Sequence, residues 1–394
     1  MAAAPLLPSA GRLVFIVVAP RQHDRLPDAP PPALLLADST GTTALPTPPI
    51  FDGHNDVLLR LMKDTSPDPV ATFLAGGGPG HIDLPKARTG NLAGGMFAVF
   101  CPSVGERPDF TAPRDMSNSP LPPELPMDLA RRMTVHQIGL LLRLEAASNG
   151  QFAVCRSAAD IRSAMARGAL AAVLHIEGAE AIDEDFYFLD VLYAAGLRSI
   201  GPVWSRTNIF GHGVPFRFPH SPDIGPGLTE IGKRLVKACN DRRILIDLSH
   251  ITEKGFWDVA ELSTAPLVAT HSNVHALTPS PRNLTADQLR AIRDSDGMVG
   301  LNFATGFLRA DGQMRADTEI EDMVRHLDAL IEALGETRVG MGSDFDGALI
   351  PAPIGDATGL PRLFEALEKH GYDAPLLEKL ANGNWLSLLE RTIG

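Results

Sequence analysis

Ile50-Phe51-Asp52-Gly53-His54-Asn55-Asp56-Val57 reads as a short buried strand that ends in a histidine and an aspartate two residues apart. In an extended chain residues i and i+2 point to the same face, so the His54 imidazole and the Asp56 carboxylate project together. Neutral imidazole beside carboxylate is a donor set for a divalent cation such as zinc. A single His-x-Asp carries little weight. This one gains weight because several later apolar runs also end in a metal-type ligand.

From Ile50 onward the chain alternates short apolar runs with longer segments of helical period. The runs cover residues 50–57, 94–101, 171–177, 199–204, 244–250, 267–271, 298–303 and 339–344. None alternates cleanly between polar and apolar, as expected of strands buried on both faces of a parallel sheet. Helices are expected over 125–147, 157–167, 186–195, 228–240, 285–293, 317–334, 360–370 and 374–392. Ser157, Thr252 and Thr285, the last with Gln288 three residues on, are cap-type residues at helix starts. Such repetition, with right-handed crossovers, closes most naturally into a (β/α)8 TIM barrel. A doubly wound open sheet would need a glycine-rich phosphate turn after its first strand, and Asp52-Gly53-His54 is not one.

In a barrel the C-terminal strand ends converge on one mouth. The run endings would bring His54, Asp56, Glu177, His250, His271 and Asp344 together there. Three imidazoles and three carboxylates are too many for one tetrahedral zinc. They suit two metals about 3.5 Å apart, sharing a bridging carboxylate and a bridging hydroxide. Without cations, three carboxylates in one mouth would repel one another and their pKa values would rise. Each residue also has a plainer use. A lone strand-end histidine is commonly a hydrogen-bonded residue, and Asp56 or Asp344 could cap a helix. Glu177 resists that treatment, because a buried carboxylate is costly unless paired or metal-bound. His175, two residues deeper in its strand, reads as a core histidine. Asp247 and Asp346 read as partners that orient the ligands.

Composition narrows the function classes. The chain has 394 residues, enough for one large barrel or two modest domains. A formal net charge of −12 argues against nucleic acid, which needs a basic footprint. No apolar run approaches the roughly 20 residues of a membrane span. Residues 13–19 could pass for a weak signal-peptide core. However, Arg12 is the one basic residue before them, and no clean small-x-small cleavage site follows. A cytoplasmic location is expected, with a periplasmic or secreted one as the alternative. Cys101, Cys155 and Cys239 are too few and too widely spaced for a disulfide framework. Residues 1–48, rich in Pro and Ala, read as a poorly ordered arm, and residues 49–394 as a single barrel domain. Leu140-Leu141-Leu142 with Leu144 suits core burial or, alternatively, a homodimer face.

The same residues carry a family resemblance. Phe51-Asp52-Gly53-His54-Asn55-Asp56, Ile176-Glu177-Gly178, Leu248-Ser249-His250, Thr270-His271-Ser272 and Gly342-Ser343-Asp344-Phe345-Asp346-Gly347 resemble the successive signatures of the membrane (renal) dipeptidase family. These are binuclear zinc peptidases related to the amidohydrolases, and the likeness runs in order from about Ile50 to the Asn384-Trp385 segment. It implies a (β/α)8 barrel and hydrolysis of dipeptides, often with a D- or dehydro-residue at the C-terminal side. Carried over, it implies that His54 and Asp56 bind one zinc, His250 and His271 the other, with Glu177 bridging. Asp344 would lie beside the first zinc and handle the proton, and Arg282 would match the arginine that binds the substrate carboxylate. One departure stands out. Where vertebrate members carry a substrate-binding histidine, this chain reads Val203-Trp204-Ser205-Arg206, with Trp204 at that place and His212 as a candidate replacement. Alternatives are the same site acting on a lactone, an N-acyl amino acid or a biosynthetic intermediate, or a non-catalytic metal-binding homologue.

Overall fold

A computed structural model describes residues 47–105, 110–113 and 119–394. The arm expected over residues 1–48 lies almost wholly outside the described residues. Nine strands follow in chain order: β1 Ile50–Asn55, β2 Leu92–Phe100, β3 Phe152–Cys155, β4 Leu170–Glu177, β5 Leu197–Gly201, β6 Leu245–Ile246, β7 Val268–Ala269, β8 Met298–Asn302 and β9 Val339–Gly342. Eight of them run in the order β6-β5-β4-β2-β1-β9-β8-β7, and every pairing is parallel. The ends of that order meet through an Asp247–Val268 bridge, where the Leu248 N–H donates to Val268 O at 2.9 Å. The ring is therefore a nearly closed (β/α)8 barrel.

β4 shows why the strands do not alternate in sequence. Leu170, Ala172, Leu174 and Ile176 pack outward with the large cluster that includes the surrounding helices. Ala171 and Val173 belong to a second cluster with Phe51, Met96, Leu245, Val268, Met298 and Trp385. Both faces are buried, so both are apolar until the mouth is reached. There the inward positions become His175 and Glu177. Trp385 anchors the second cluster by donating its indole N–H to Met341 O at 2.8 Å. Gly53 and Gly340 make room for it, since a Cβ at either would strike its ring.

Several elements differ from expectation. β3 is absent from the apolar runs because it has four residues and pairs only with Leu170–Val173 of β4, before β5 takes over. Between β1 and β2 lie the short helices Val57–Lys63, Pro69–Ala75 and Leu84–Thr89, two of them capped by Asp68 and Asp83. The segment 374–392 is broken by a π-helical turn at Lys379–Gly383. Around that turn Asn382 reaches Pro49 O and Asn384 reaches Val339 O, each at 2.7 Å. In the leucine cluster Leu140, Leu141 and Leu144 are buried and Leu142 is exposed. No helix among the described residues is long and apolar enough to cross a membrane.

Candidate metal centre

The ends of β1 and β9 are zipped together by the backbone. The Asp344 N–H donates to His54 O at 3.0 Å, and the Asp56 N–H to Phe345 O at 2.8 Å. Asp52 reinforces the seam by accepting from both the Ser343 N–H and its hydroxyl at 2.7 Å. Burial lifts the Asp52 pKa to about 6 despite those bonds. This seam gathers His54, Asp56 and Asp344, whose donor atoms lie within 4.8 Å of one another. Asp344 adopts a left-handed φ of 59° at the turn, and its Oδ2 accepts from the Asn302 amide at 3.0 Å. A Cβ at Gly347 would sit against Asp56 Oδ2 and Asp344 Oδ1, so this turn needs glycine.

On the opposite side, β4, β6 and β7 bring in the other half. Glu177 Oε1 lies 2.9 Å from His250 Nε2, 3.4 Å from His271 Nε2 and 3.8 Å from His54 Nε2. The far nitrogens of His250 and His271, the candidate ligands, are held from behind. His250 Nδ1 meets Ser205 Oγ at 2.9 Å, and His271 Nδ1 meets Thr270 Oγ1 at 2.8 Å. Asp247 supports the second contact, accepting from the Thr270 hydroxyl at 2.7 Å and the Thr270 N–H at 2.8 Å. His175 lies beneath, with Nδ1 against Ser199 Oγ at 2.9 Å and Nε2 3.7 Å from Asp247.

The donor set fits divalent cations on its own chemistry. His54 is fully buried, and neither of its ring nitrogens makes a hydrogen bond with the described residues; Asp56 Oδ1 is likewise unbonded. Burial, together with Arg282 and His54 for His250, and with His54 and Arg282 for His271, drives both pKa values well below the usual histidine range. Both imidazoles are therefore held neutral, ready to ligate. Burial opposes a charge on His54 too, yet Glu177, Asp56 and Asp344 outweigh it and push its pKa up to about 10. Burial raises the pKa of Glu177 and Asp344, with His54 pulling the other way. Without cations the carboxylates are thus met by His54 as their nearest positive charge, and bound dications would supply more.

The site opens into a cavity of about 660 Å³ lined by Asp56, Glu177, His250 and Asp344 on the metal side. Trp204, Phe216, Phe307 and Met314 form its apolar wall. His212 is not among the lining residues. Its ring is turned to the Thr207 hydroxyl at 3.1 Å, so it does not replace the missing histidine in this arrangement. Arg282 is buried behind the wall, its guanidinium 5.3 Å from the Phe307 ring centroid. It donates to His271 O at 3.0 Å and to Ser272 Oγ at 3.3 Å, and its Nε is unbonded. Asp346, expected to orient ligands, instead accepts from Arg60 Nε at 3.0 Å and the His81 N–H at 2.6 Å.

Sequence reasoning missed Ser205, Asn302, Arg206 and Glu180. Asn302 alone carried a signal, being a polar residue that closes an apolar strand as the ligands do.

A family model described as membrane dipeptidase (peptidase family M19) matches residues 43–392. The chain belongs to the membrane dipeptidase family. It is 54% identical to the metallopeptidase called dipeptidase AC, with a TM-score of 0.82 over 89% of this chain and 100% of that one. A Rhodobacter sphaeroides metallopeptidase, solved with a phosphinate mimic of the dipeptide L-Ala-D-Ala, is 53% identical. There the TM-score is 0.83 over 88% of this chain and 100% of that one. An Acinetobacter calcoaceticus protein, described as an uncharacterized protein in the PQQ-III 3′ region, is 44% identical over 72% of this chain and 89% of its own. Membership makes the protein a metal-dependent hydrolase of the peptidase class, and the His/Asp/Glu cluster at the barrel mouth is where a metal can be held.

Proposed function

We propose that this membrane dipeptidase homologue hydrolyses the amide bond of dipeptides, including those with a D- or dehydro-residue at the C-terminal side. Two zinc ions would be held, one by His54 and Asp56 and the other by His250 and His271, with Glu177 between them. The observation that carries this reading is the position of Glu177 Oε1, within 3.8 Å of one nitrogen from each of the three histidines. When bound, the cations acidify a water molecule and polarise the amide carbonyl.

The remaining steps belong to the chain. Asp344, fixed by the Asn302 amide, accepts the proton of the attacking water and returns it to the leaving amine. Arg282, behind the Phe307 ring and with its Nε unbonded, would meet the free carboxylate of a substrate that reaches past that ring, a charge-assisted contact that favours short peptides. Burial lowers its pKa to about 10, against the pull of Asp344 and Glu177, so it stays cationic at neutral pH. Trp204, Phe216 and Phe307 exclude water and take the apolar part of the substrate.

The deciding experiment pairs metal analysis with turnover on L,L- and L,D-dipeptides, lactones and N-acyl amino acids. Two equivalents of zinc and fastest turnover on an L,D-dipeptide are expected. Zinc with a lactone or N-acyl substrate alone would move the activity to another bond. Zinc with no hydrolysis would make the protein a metal-binding homologue. Arg282→Ala should raise KM for dipeptides about 10–100-fold with less effect on kcat.

A further inference from the structure

Arg206 is a fully buried arginine that touches neither the cavity nor the ligand set. Its Nη1 donates to Glu180 Oε1 at 2.9 Å and to Cys101 O at 3.0 Å, and its Nη2 to Ser103 Oγ at 2.8 Å. The guanidinium lies 5.2 Å from the Trp204 ring centroid and 5.9 Å from that of Phe100. One side chain therefore joins three mouth loops: Cys101 and Ser103 after β2, Glu180 after β4, and Trp204 after β5. Phe100, Ser103 and Trp204 all line the cavity. A buried ion pair is a poor source of net stability, since two desolvated charges barely repay their cost. Its geometry is another matter, because a planar five-donor fork can hold several loops in one register.

We infer that Arg206, anchored by Glu180, is a positioning residue that sets the Trp204 wall of the substrate cavity and makes no contact of its own with the candidate metal ligands. The assignment rests on the dipeptidase reading only for its kinetic arm. Three variants test it: Arg206→Met, Arg206→Lys and the double variant Glu180→Met/Arg206→Met. The double variant replaces both charges by apolar chains of similar length, which restores stability without restoring the loop tethers.

With two zinc equivalents retained, the double variant should show KM raised at least about 10-fold and kcat within about 3-fold of wild type. Arg206→Lys, which keeps the charge but not the fork, should fall between. A second readout needs no turnover. In a Trp257→Phe background the remaining tryptophans are Trp204 and the fully buried Trp385, so acrylamide quenching reports Trp204. Quenching should rise at least about 2-fold in the double variant if loosening exposes that ring. Unchanged KM and quenching in a folded double variant would overturn the inference, as would loss of zinc or a fall in kcat alone. If wild-type protein hydrolyses no dipeptide, the quenching arm still decides the role of Arg206, and the functional reading alone fails.

Discussion

Glu177 shows how much a single carboxylate can be asked to do. It ends a strand whose inward face is apolar below His175, and three imidazoles crowd one of its oxygens. Asp344 is half-buried in the same pocket, yet it has an amide donor of its own in Asn302. On the proposed function, Glu177 would serve as the bridging ligand and Asp344 as the group that carries the proton. Asp344→Asn keeps the shape and the Asn302 side of the turn while removing the basic oxygen. Zinc content should stay at the wild-type level while kcat drops about 100–10,000-fold, checked by metal analysis alongside steady-state kinetics. Turnover near wild type would remove Asp344 from the proton path. The six candidate ligands were legible because a charged or imidazole side chain at the end of a fully buried strand has few other uses. Arg206 and Glu180 were not. Charges in loops ordinarily read as solvated, and nothing in the spacing of Glu180 and Arg206 shows that both are buried.

The elements divide in the same way. Strands with two buried faces announce themselves as apolar runs, and all eight barrel strands overlap the expected ones, with β2, β4 and β5 starting one or two residues earlier. β3 escaped because four residues pairing along half of β4 carry too little pattern. The connection after β7 shows what patterns miss at the next level. His326, on the helix Ile320–Leu334, accepts from the Val274 N–H at 3.2 Å, and its Nε2 lies 3.1 Å from Leu308 O. That arrangement requires neutral imidazole with its proton on Nε2. Burial accordingly lowers the pKa from 6.5 to about 4. The unfolded chain takes up its proton near pH 6.5 and the folded chain only near 4. The stabilisation is therefore complete above 6.5 and lost as pH falls between the two, by at most about 3 kcal/mol. In chelator-treated protein, where metal release cannot contribute, Tm should fall across that window. His326→Gln should be less stable at pH 7.5 and show a shallower fall, read by thermal unfolding at several pH values. Parallel slopes for the two proteins would place the acid sensitivity elsewhere.

At the scale of the whole barrel, the ring and its mouth make opposite demands. The ring is closed by parallel pairing and by apolar packing on both faces, which favours folding without any cation. The mouth gathers His54, Asp56, Glu177 and Asp344 into one buried pocket, where burial already lifts the pKa of Glu177 and Asp344. Closing the barrel without metal therefore forces carboxylates together, with His54 as the nearest positive charge. A cation that binds the folded state alone adds RT ln(1 + [L]/Kd), about 4 kcal/mol at a thousandfold excess over Kd. Chelation should accordingly lower Tm by at least about 5 °C while leaving a cooperative transition, and stoichiometric zinc should restore it. The barrel strands supply the cooperativity and the mouth supplies the shift. Calorimetry with and without chelator separates the two. An unchanged Tm would mean that the cluster is satisfied by its own protons and holds no tightly bound cation. A lost transition would mean that the ring cannot close without metal.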